Sequence, residues 1–340
     1  MEYLILLHPG HSRVYFEESR ALSLAEFGIA APRFGAGCLS FGPHEAGGIG
    51  YLRFATREPL GERDRALVAR LSFAYALFEL RADSSLLPQE RGGERYCDDS
   101  IVTILKYTGK TNELFTRMLV NLATWSGAYA EESRLSLLDP VAGKGTTLFE
   151  GLSAGYDTAG IEIGTKVTAE AAAYLRKYLE TGRFKFSQKV ERVSGDNRSF
   201  TAQRYHFEIA RSKADTEART LTMVAGPSAH ADRYFRKNTF HLLVGDLPYG
   251  VQHGAVTQEK QDGLTRDAAR LLHACLPAWR AVLRPGAALA LAFNTLTTRR
   301  ADIEDELRTH GFTVLDSEPY RAFAHRVDSS ILRDVVVALR

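Results

Sequence analysis

The sequence has little cysteine and no long apolar run. Its three cysteines stand far apart in 340 residues, without a C-x-x-C pair. This pattern is typical of reduced thiols in a cytoplasm, and it predicts no structural zinc or other metal site. No apolar run approaches the roughly 20 residues of a membrane span. The opening MEYLILLHPGHSR lacks a basic n-region and a cleavage-site pattern, so it predicts a first strand and not a signal peptide. We therefore expect a cytoplasmic protein without a membrane partner.

A strong charge of one sign is also missing. The formal net charge is +2, which gives no bulk electrostatic argument for a nucleic-acid partner. Basic residues nevertheless cluster locally, with aromatic residues among them. The clusters are Arg183, Lys185, Lys189 and Arg192; Arg233, Arg236 and Lys237; Arg299 and Arg300; and Arg321, His325 and Arg326, interleaved with Phe184, Phe186, Tyr234 and Phe235. Each cluster fits either an RNA-binding patch or an ordinary solvated face.

The first part of the chain mixes short strands and helices. Apolar spacing predicts strands at 3–7 and 49–55 and helices at 17–27 and 62–80. The polar, turn-rich LLPQERGGERY at 86–96 is typical of a linker. We therefore expect a small α+β N-terminal domain over residues 1–95 and a second domain over 96–340.

Beyond the linker, strands alternate with helices. Strands are predicted at 135–138, 157–163, before GDN, at 242–246 and at 287–293, with helices between them. A long polar segment at 198–238 interrupts this pattern. Two final strands, at 312–315 and 334–339, follow one another without a helix. The pattern predicts an α/β fold with a mostly parallel sheet, helices on both faces and an antiparallel edge.

The first strand end that could bind a ligand is followed by DPVAGKGTT, residues 139–147. Gly143 and Gly145 let the backbone pass close to a ligand and turn into a helix. Leu148 breaks the dinucleotide fingerprint, and the phosphate-loop pattern fails because Lys144 is followed by glycine. S-adenosylmethionine (SAM) needs no phosphate cradle, but it needs a carboxylate near its cationic amino group, which Asp139 can supply. A glycine-rich turn without a ligand is the alternative.

Two further strand ends carry acids. Glu162 ends the next strand, about 20 residues after the glycine loop, where an acid can accept hydrogen bonds from both ribose hydroxyls. Asp196 lies in Gly-Asp-Asn and could accept a hydrogen bond from an adenine amino group. Taken alone, Gly-Asp-Asn is more typical of a turn.

The fourth strand end is LLVGDLPYG, residues 242–250. Asp-x-Pro-x-Gly is good turn chemistry, and that interpretation stays open. The same residues suit methylation of an exocyclic base amine, whose lone pair is delocalised into the ring. Asp246 can accept one N–H, a backbone carbonyl fixed by Pro248 can accept the other, and Tyr249 can stack on the base. Catalysis would then come from orientation and electrostatics, without a covalent intermediate.

Taken in order, DPVAGKGTT, GIEI, GDN and DLPYG resemble the motifs of class I SAM-dependent methyltransferases that act on amino groups of bases. TGKTNELFTRMLVNLA is similar to the segment that precedes DPFxGxGT in those enzymes. The D-x-P-[YF]-G form looks most like the tRNA guanine-N(2) methyltransferases, which carry a THUMP-type or related RNA-binding domain before the catalytic domain. The likeness is specific over 110–296 and weak over 1–95.

This resemblance implies a Rossmann-like class I methyltransferase fold, SAM as cofactor and RNA, in the first place tRNA, as partner. The methionine end of SAM would be held by Asp139, Ala142, Gly143, Gly145 and Thr146, the ribose by Glu162 and Ile163, and the adenine by Asp196 and Asn197. Lys110 and Thr111 would approach the cofactor, and the catalytic residues would be Asp246, Pro248 and Tyr249.

The chain departs from the family pattern at several positions. Val141 and Ala142 replace the usual Phe-Cys or Phe-Ala, Leu247 replaces the commoner proline, and the ribose acid is a glutamate. The sequence thus predicts a methyltransferase for an exocyclic base amine in RNA, with guanine-N(2) in tRNA as the leading substrate. The alternatives are an adenine amino-group methyltransferase on DNA or rRNA, and an inactive SAM-binding partner subunit.

Overall fold

The computed structural model describes residues 1–9, 13–90, 92–103, 111–194, 201–248 and 268–340. Their contacts divide the chain into two compact units. The first unit contains residues 1–94 and 316–335, and the second contains 95–315 and 336–340. The first break thus lies beside the boundary predicted after residue 95. Residues 316–335, which we expected in the second domain, group with the first unit.

The first unit has a strand–helix–strand–strand–helix–strand order with one further strand. Its elements are β1 (Glu2–Leu7), α1 (Arg13–Ala30), β2 (Cys38–Ala46), β3 (Ile49–Thr56), α2 (Glu62–Arg70), β4 (Ala74–Leu80) and β5 (Leu86–Gln89). The strands form an antiparallel sheet in the order β2-β3-β1-β4-β5. Phe27 of α1 packs against Phe41 and Phe54 of the sheet, with ring centroids 5.0 and 5.1 Å away. The predicted α+β character of this unit is confirmed.

Two predictions in this unit are wrong in part. The helix predicted over 62–80 ends at Arg70, and its second half is β4. Aromatic residues favour strands, and pairing with the central β1, where Ile5 faces Leu77, overrides the helical spacing. The predicted linker begins as β5, which pairs with β4 in a hairpin. Pro88 is tolerated there because β5 is an edge strand.

The second unit follows the alternating pattern. Its elements are α3 (Ser100–Thr103), α4 (Glu113–Ser126), β6 (Ser136–Asp139), α5 (Thr146–Ser153), β7 (Asp157–Glu162), α6 (Thr165–Thr181), β8 (Lys185–Ser194), β9 (Thr201–Ala210), β10 (Arg219–Ala225), α7 (Ala231–Tyr234), β11 (Phe240–Asp246), α8 (Ala268–Val282), β12 (Leu283–Asn294), α9 (Arg300–Thr309) and β13 (Thr313–Leu315). The chain ends with β14 (His325–Arg326) and β15 (Leu332–Leu339), and β14 pairs with the start of β15.

The large sheet has the order β13-β15-β12-β11-β6-β7-β10-β9-β8. Its five middle strands, from β12 to β10, are mutually parallel. At one side β13 pairs antiparallel with β15, and at the other β9 pairs antiparallel with both β10 and β8. The predicted α/β fold class is confirmed: the sheet is Rossmann-like and mostly parallel, with antiparallel edges, and an α+β unit is added to it. No helix in the described ranges is long and apolar enough to cross a membrane.

The polar segment predicted to interrupt the pattern contains two strands of the sheet. β10 lies beside β7, with Val224 facing Ile161 and Ala225 facing Glu162. The strand that leads to GDN, β8, therefore lies at the outer edge and not beside β7. The burial explains this arrangement: β10 is largely buried, as an inner parallel strand must be, whereas β8 alternates exposed polar residues, as suits an edge.

Candidate active site

The carboxyl ends of β11, β6, β7 and β10 lie side by side at one edge of the sheet. Because these strands are parallel neighbours, their last residues form a row. Asp139 at the end of β6 faces Gly160, and Glu162 at the end of β7 faces Ala225. Asp246 ends β11 on the other side of β6. This edge is where open α/β sheets bind their ligands.

The glycine loop after β6 lies tightly against β7. The Ala142 N–H donates to the Ile161 carbonyl at 2.9 Å. A Cβ atom on Gly160 would stand 2.7 Å from the Ala142 Cβ, so this close approach requires glycine. Gly143 has a φ of +50°, and no atom of the described residues lies within 4 Å of the position that its Cβ would take. The loop is therefore fixed on the sheet side and open on the side where a cofactor would lie.

Glu162 connects this loop to the next strand end. One carboxylate oxygen, Oε2, accepts the Gly143 N–H at 3.0 Å, and the other accepts the Gly164 N–H at 2.7 Å. The side chain is half-buried. Each carboxylate oxygen has a further lone pair, so both can still accept a ribose hydroxyl. The sequence predicted the ribose role but gave no signal of the loop contacts. Ile163 follows as a half-buried apolar side chain.

Asp139 lies beneath the loop with only 3% of its surface exposed. Its carboxylate accepts the Val141 N–H at 3.0 Å and a hydrogen bond from the Thr147 hydroxyl. Burial raises the pKa of Asp139 to about 7, and the nearby charges of Asp246 and Glu162 add to the rise, against those two hydrogen bonds. The sequence placed Asp139 at the loop entrance and missed Thr147. Among the other predicted loop residues, Gly145 caps α5 in the left-handed conformation and Thr146 begins that helix, buried.

Asp246 is bound by a residue that the sequence had assigned to the cofactor. The Thr111 hydroxyl donates to Asp246 Oδ2 at 2.6 Å. The next residue, Leu247, is 1% exposed, and its N–H donates to the Ala292 carbonyl at 2.9 Å, which extends the ladder between β11 and β12. A proline here could not donate this bond, so the departure from the family pattern fixes the main chain ahead of the half-buried Pro248.

Ser228 is a residue that the sequence analysis missed. It follows β10, and its hydroxyl donates to the Pro140 carbonyl at 2.6 Å, at the start of the glycine loop. The Trp279 indole N–H of α8 donates to the same hydroxyl at 3.0 Å. Ser228 therefore links the end of β10, the loop and α8. The sequence could have indicated Ser228 only if β10 had been predicted as a strand of the sheet, because Ser228 follows its end.

Four predicted site residues fall outside the part of the chain that the structure describes: Lys110, Asp196, Asn197 and Tyr249. The loop lysine, Lys144, forms an ion pair with Glu170 of α6 at 3.0 Å. This pairing agrees with the sequence argument against a phosphate loop, because a phosphate loop uses its lysine on the ligand.

The basic clusters differ in their exposure to solvent and in their ion pairs. In the cluster on α9, Arg299 binds Asp302 at 2.6 Å and Arg300 binds Glu304 at 2.7 Å, so its charge is largely compensated. His325 is 2% exposed and Tyr234 is 4% exposed, so neither contributes to a surface patch. The cluster on β8 stays exposed, at Lys185, Lys189 and Arg192. Lys189 also pairs with Glu191 at 2.7 Å. Arg233, Arg236 and Lys237 are exposed as well, so both the cluster on β8 and this one present positive charge to solvent.

Comparisons with known proteins add solved structures of similar fold. No protein-family model matches the chain, and no curated protein matches it. TrmN from Thermus thermophilus is 14% identical, with a TM-score of 0.45, and the alignment covers 100% of both chains. An rRNA methylase from Streptococcus thermophilus is 9% identical, with a TM-score of 0.36, and the alignment covers 66% of this chain and 95% of that one.

A third solved structure is the magnesium protoporphyrin IX methyltransferase from Synechocystis PCC 6803 with bound SAM. It is 14% identical, with a TM-score of 0.38, and the alignment covers 69% of this chain and 86% of that one. Identities and scores this low carry no argument about activity. The functional assignment therefore rests on the chemistry of the strand ends.

Proposed function

We propose that this chain is a SAM-dependent methyltransferase for an exocyclic amino group of a base in RNA, with guanine-N(2) in tRNA as the first substrate to test. The observation that carries the proposal is the meeting of three carboxylates, those of Asp139, Glu162 and Asp246, at the ends of three neighbouring parallel strands. Such a concentration of negative charge favours a cationic cofactor and an amine that becomes positive as it reacts.

The residues of the glycine loop fit SAM better than a phosphate-bearing nucleotide. Bound SAM supplies a methyl group activated on a positively charged sulfur. Asp139 would compensate the charge of its ammonium group, and Glu162 would accept its ribose hydroxyls. The φ of +50° and the open space at Gly143 leave room for the methionine end. ATP or NAD would bring phosphates toward the same carboxylates, which like charges oppose.

Asp246 is suited to hold the amine of the base. Its Oδ2 is bound by Thr111, which fixes the carboxylate, and a carboxylate can accept several hydrogen bonds, an N–H of the substrate among them. The bond between Leu247 and Ala292 fixes the adjoining main chain, so the carbonyl beside Pro248 can be in place before the base arrives. Holding both N–H bonds turns the nitrogen lone pair toward the methyl donor, and the carboxylate stabilises the positive charge that develops.

Nucleoside mass spectrometry of total RNA and DNA, from cells with and without the gene, tests this proposal. A methylated guanosine that is present in tRNA only with the gene is the expected result. A methylated adenine would support the alternative amino-group methyltransferase, and no change in any nucleoside would support an inactive partner subunit. Calorimetry with SAM, ATP and NAD tests the cofactor separately, and preferential binding of ATP or NAD would contradict it.

The pKa of Asp139 predicts that SAM affinity depends on pH. An ion pair with the ammonium group needs the carboxylate, whereas the free protein protonates Asp139 below about pH 7. The dissociation constant should therefore rise roughly tenfold per pH unit below pH 7 and be constant above it. Calorimetry in buffers of different ionisation enthalpy should detect about one proton released per SAM bound at low pH.

Stability should respond to pH in the opposite sense. Because the pKa of Asp139 is raised by folding, its contribution to the stability of the free protein is complete below its unfolded pKa and is lost as pH rises to about 7. SAM should stabilise the protein most above that range. Asp139→Asn is the control, and its SAM affinity should not vary between about pH 5.5 and about pH 8. A pH-independent affinity in the unmodified protein would restrict Asp139 to a structural role in the loop.

The exposed basic residues of β8 are proposed to contact the RNA backbone. Replacing Lys185, Lys189 and Arg192 with alanine should weaken RNA binding and reduce its salt dependence. The slope of log affinity against log salt should become shallower by roughly 0.7–0.9 for each phosphate that the variant no longer neutralises. Filter binding at several salt concentrations measures both quantities. Arg299→Ala is the control, since Asp302 already binds its guanidinium, and an equal weakening in the two variants would reject the β8 surface.

The N-terminal unit is proposed to add RNA affinity, as the sequence analysis expected. Its support comes from the most exposed aromatic group among its described residues, Tyr75 of β4, which is 52% exposed and makes an edge contact with His8 at 5.5 Å between ring centroids. An exposed ring of this kind can stack on an unpaired base. The strand-end carboxylates, by contrast, all belong to the second unit.

A further inference from the structure

Two histidines and a glutamate converge where α8 packs against α9. His273 lies on α8, Glu306 on α9, and His310 directly follows α9. One ligand atom from each residue lies within 4.8 Å of those of the other two. These residues lie on two helices or directly after one of them, whereas the carboxylates of the proposed active site lie at the ends of strands.

The local geometry matches that of metal ligands. His273 Nδ1 lies 3.2 Å from Glu306 Oε2, and His310 Nδ1 lies 3.7 Å from the same oxygen. Ligands about 2.1 Å from a tetrahedral zinc ion stand about 3.4 Å apart. The two imidazole rings are 5.6 Å apart between centroids and nearly perpendicular, at 80°. Small rotations of the side chains would therefore point three donors at one ion.

The site is held by the fold on one side and open on the other. Glu306 and His310 are spaced by one helical turn, which places both on one helix face. In the metal-free protein His310 Nδ1 donates to the Glu306 carbonyl at 2.9 Å, and an ion bound at this nitrogen would replace that hydrogen bond while the ring proton moves to Nε2. The side chains of Glu306 and His310 are 27% and 16% exposed, whereas His273 is 71% exposed. Solvent can thus enter from the His273 side and complete the coordination.

We propose that His273, Glu306 and His310 bind a divalent transition-metal ion, with Zn²⁺ as the first ion to test. Two imidazoles and one carboxylate, with a fourth position for water, form a zinc ligand set of known type. The same set would accept Co²⁺, Ni²⁺ and Cu²⁺. Because the ligands come from two helices, a bound ion would tie the first half of α8 to the end of α9. Sequence analysis predicted no metal, since these residues are brought together only by the packing of the two helices.

The test uses the full chain without an affinity tag, freed of metal with a chelator. Zn²⁺ titration by calorimetry should give one ion bound per chain, and Zn²⁺ should raise Tm in a concentration-dependent way. Co²⁺ absorption should show nitrogen and oxygen ligands without thiolate bands, which separates this site from the cysteines. His273→Ala and His310→Ala should each weaken Zn²⁺ roughly 100-fold or more, because losing a group that only orients a ligand already costs about 10–100-fold.

The matched control is His206→Ala. His206 and Glu208 are a histidine–carboxylate pair 4.0 Å apart on β9, in the same unit, and no third ligand joins them among the described residues. That variant should bind Zn²⁺ like the unmodified protein. His273→Ala should keep the metal-free Tm because the side chain is largely exposed, so misfolding cannot explain a loss of binding there. Absence of stoichiometric Zn²⁺ binding, or equal Zn²⁺ affinity in His273→Ala and the unmodified chain, would overturn the proposal.

Discussion

Asp246→Asn is expected to slow methyl transfer about 100- to 1,000-fold while the fold and the SAM affinity stay unchanged. Asparagine keeps an oxygen that can accept an N–H of the base, but it loses the negative charge that stabilises the developing positive nitrogen. Removal of one preorganised electrostatic group typically costs this factor. Single-turnover methyl transfer to saturating RNA measures the chemical step, and calorimetry with SAM shows whether the cofactor site is intact.

The hydrogen bond from Thr111 allows a matched control for this experiment. Thr111→Ser keeps the hydroxyl that donates to Asp246 Oδ2 and should retain the rate of the unmodified protein. If Asp246→Asn also turns over at that rate, the carboxylate only supports the turn, because asparagine makes the same turn hydrogen bonds. The DLPYG stretch would then lose its catalytic interpretation even if SAM binding persisted.

Local sequence pattern predicted those elements whose environment follows from their own residues. The inner strands β11 and β12 contain continuous apolar runs, so each was found within a few residues. The sequence pattern did not predict β10. Its place in the sheet follows from its pairing with β7, where Val224 faces Ile161, and this pairing is a tertiary contact. The helix predicted over 62–80 failed for a similar reason, since the pairing of β4 with β1 is a tertiary contact.

The sequence predicted those site residues that have suitable acidic side chains and also stand at the end of a predicted strand. Asp139, Glu162 and Asp246 were all found in this way, and the structure places them on adjacent strands. The groups that hold them were not found, because they act across the chain. Thr111 reaches Asp246 from ahead of α4, and Ser228 reaches Pro140 from beyond β10. The sequence does not indicate which group a hydroxyl will bind, so such contacts can be identified only from the folded structure.

Glu162→Ala is expected to weaken SAM roughly 10- to 150-fold for each ribose hydrogen bond that is removed. Hydrogen bonds to a charged acceptor contribute about 1.5–3 kcal/mol each, which corresponds to that range. The same change removes the acceptor of the Gly143 and Gly164 N–H groups, so Tm should fall as well. Affinity alone therefore cannot separate a direct contact with the ribose from a disturbed glycine loop.

A ligand that lacks one ribose hydroxyl separates the two effects. In the unmodified protein, a deoxyribose analogue of S-adenosylhomocysteine should bind about 10- to 150-fold more weakly than S-adenosylhomocysteine itself, because Glu162 loses one partner. In Glu162→Ala the two ligands should bind equally, since no carboxylate is left to detect the hydroxyl. The cycle of two proteins and two ligands, measured by calorimetry, gives the coupling energy directly. If both proteins discriminate equally between the ligands, Glu162 acts only by holding Gly143, and the ribose is bound elsewhere.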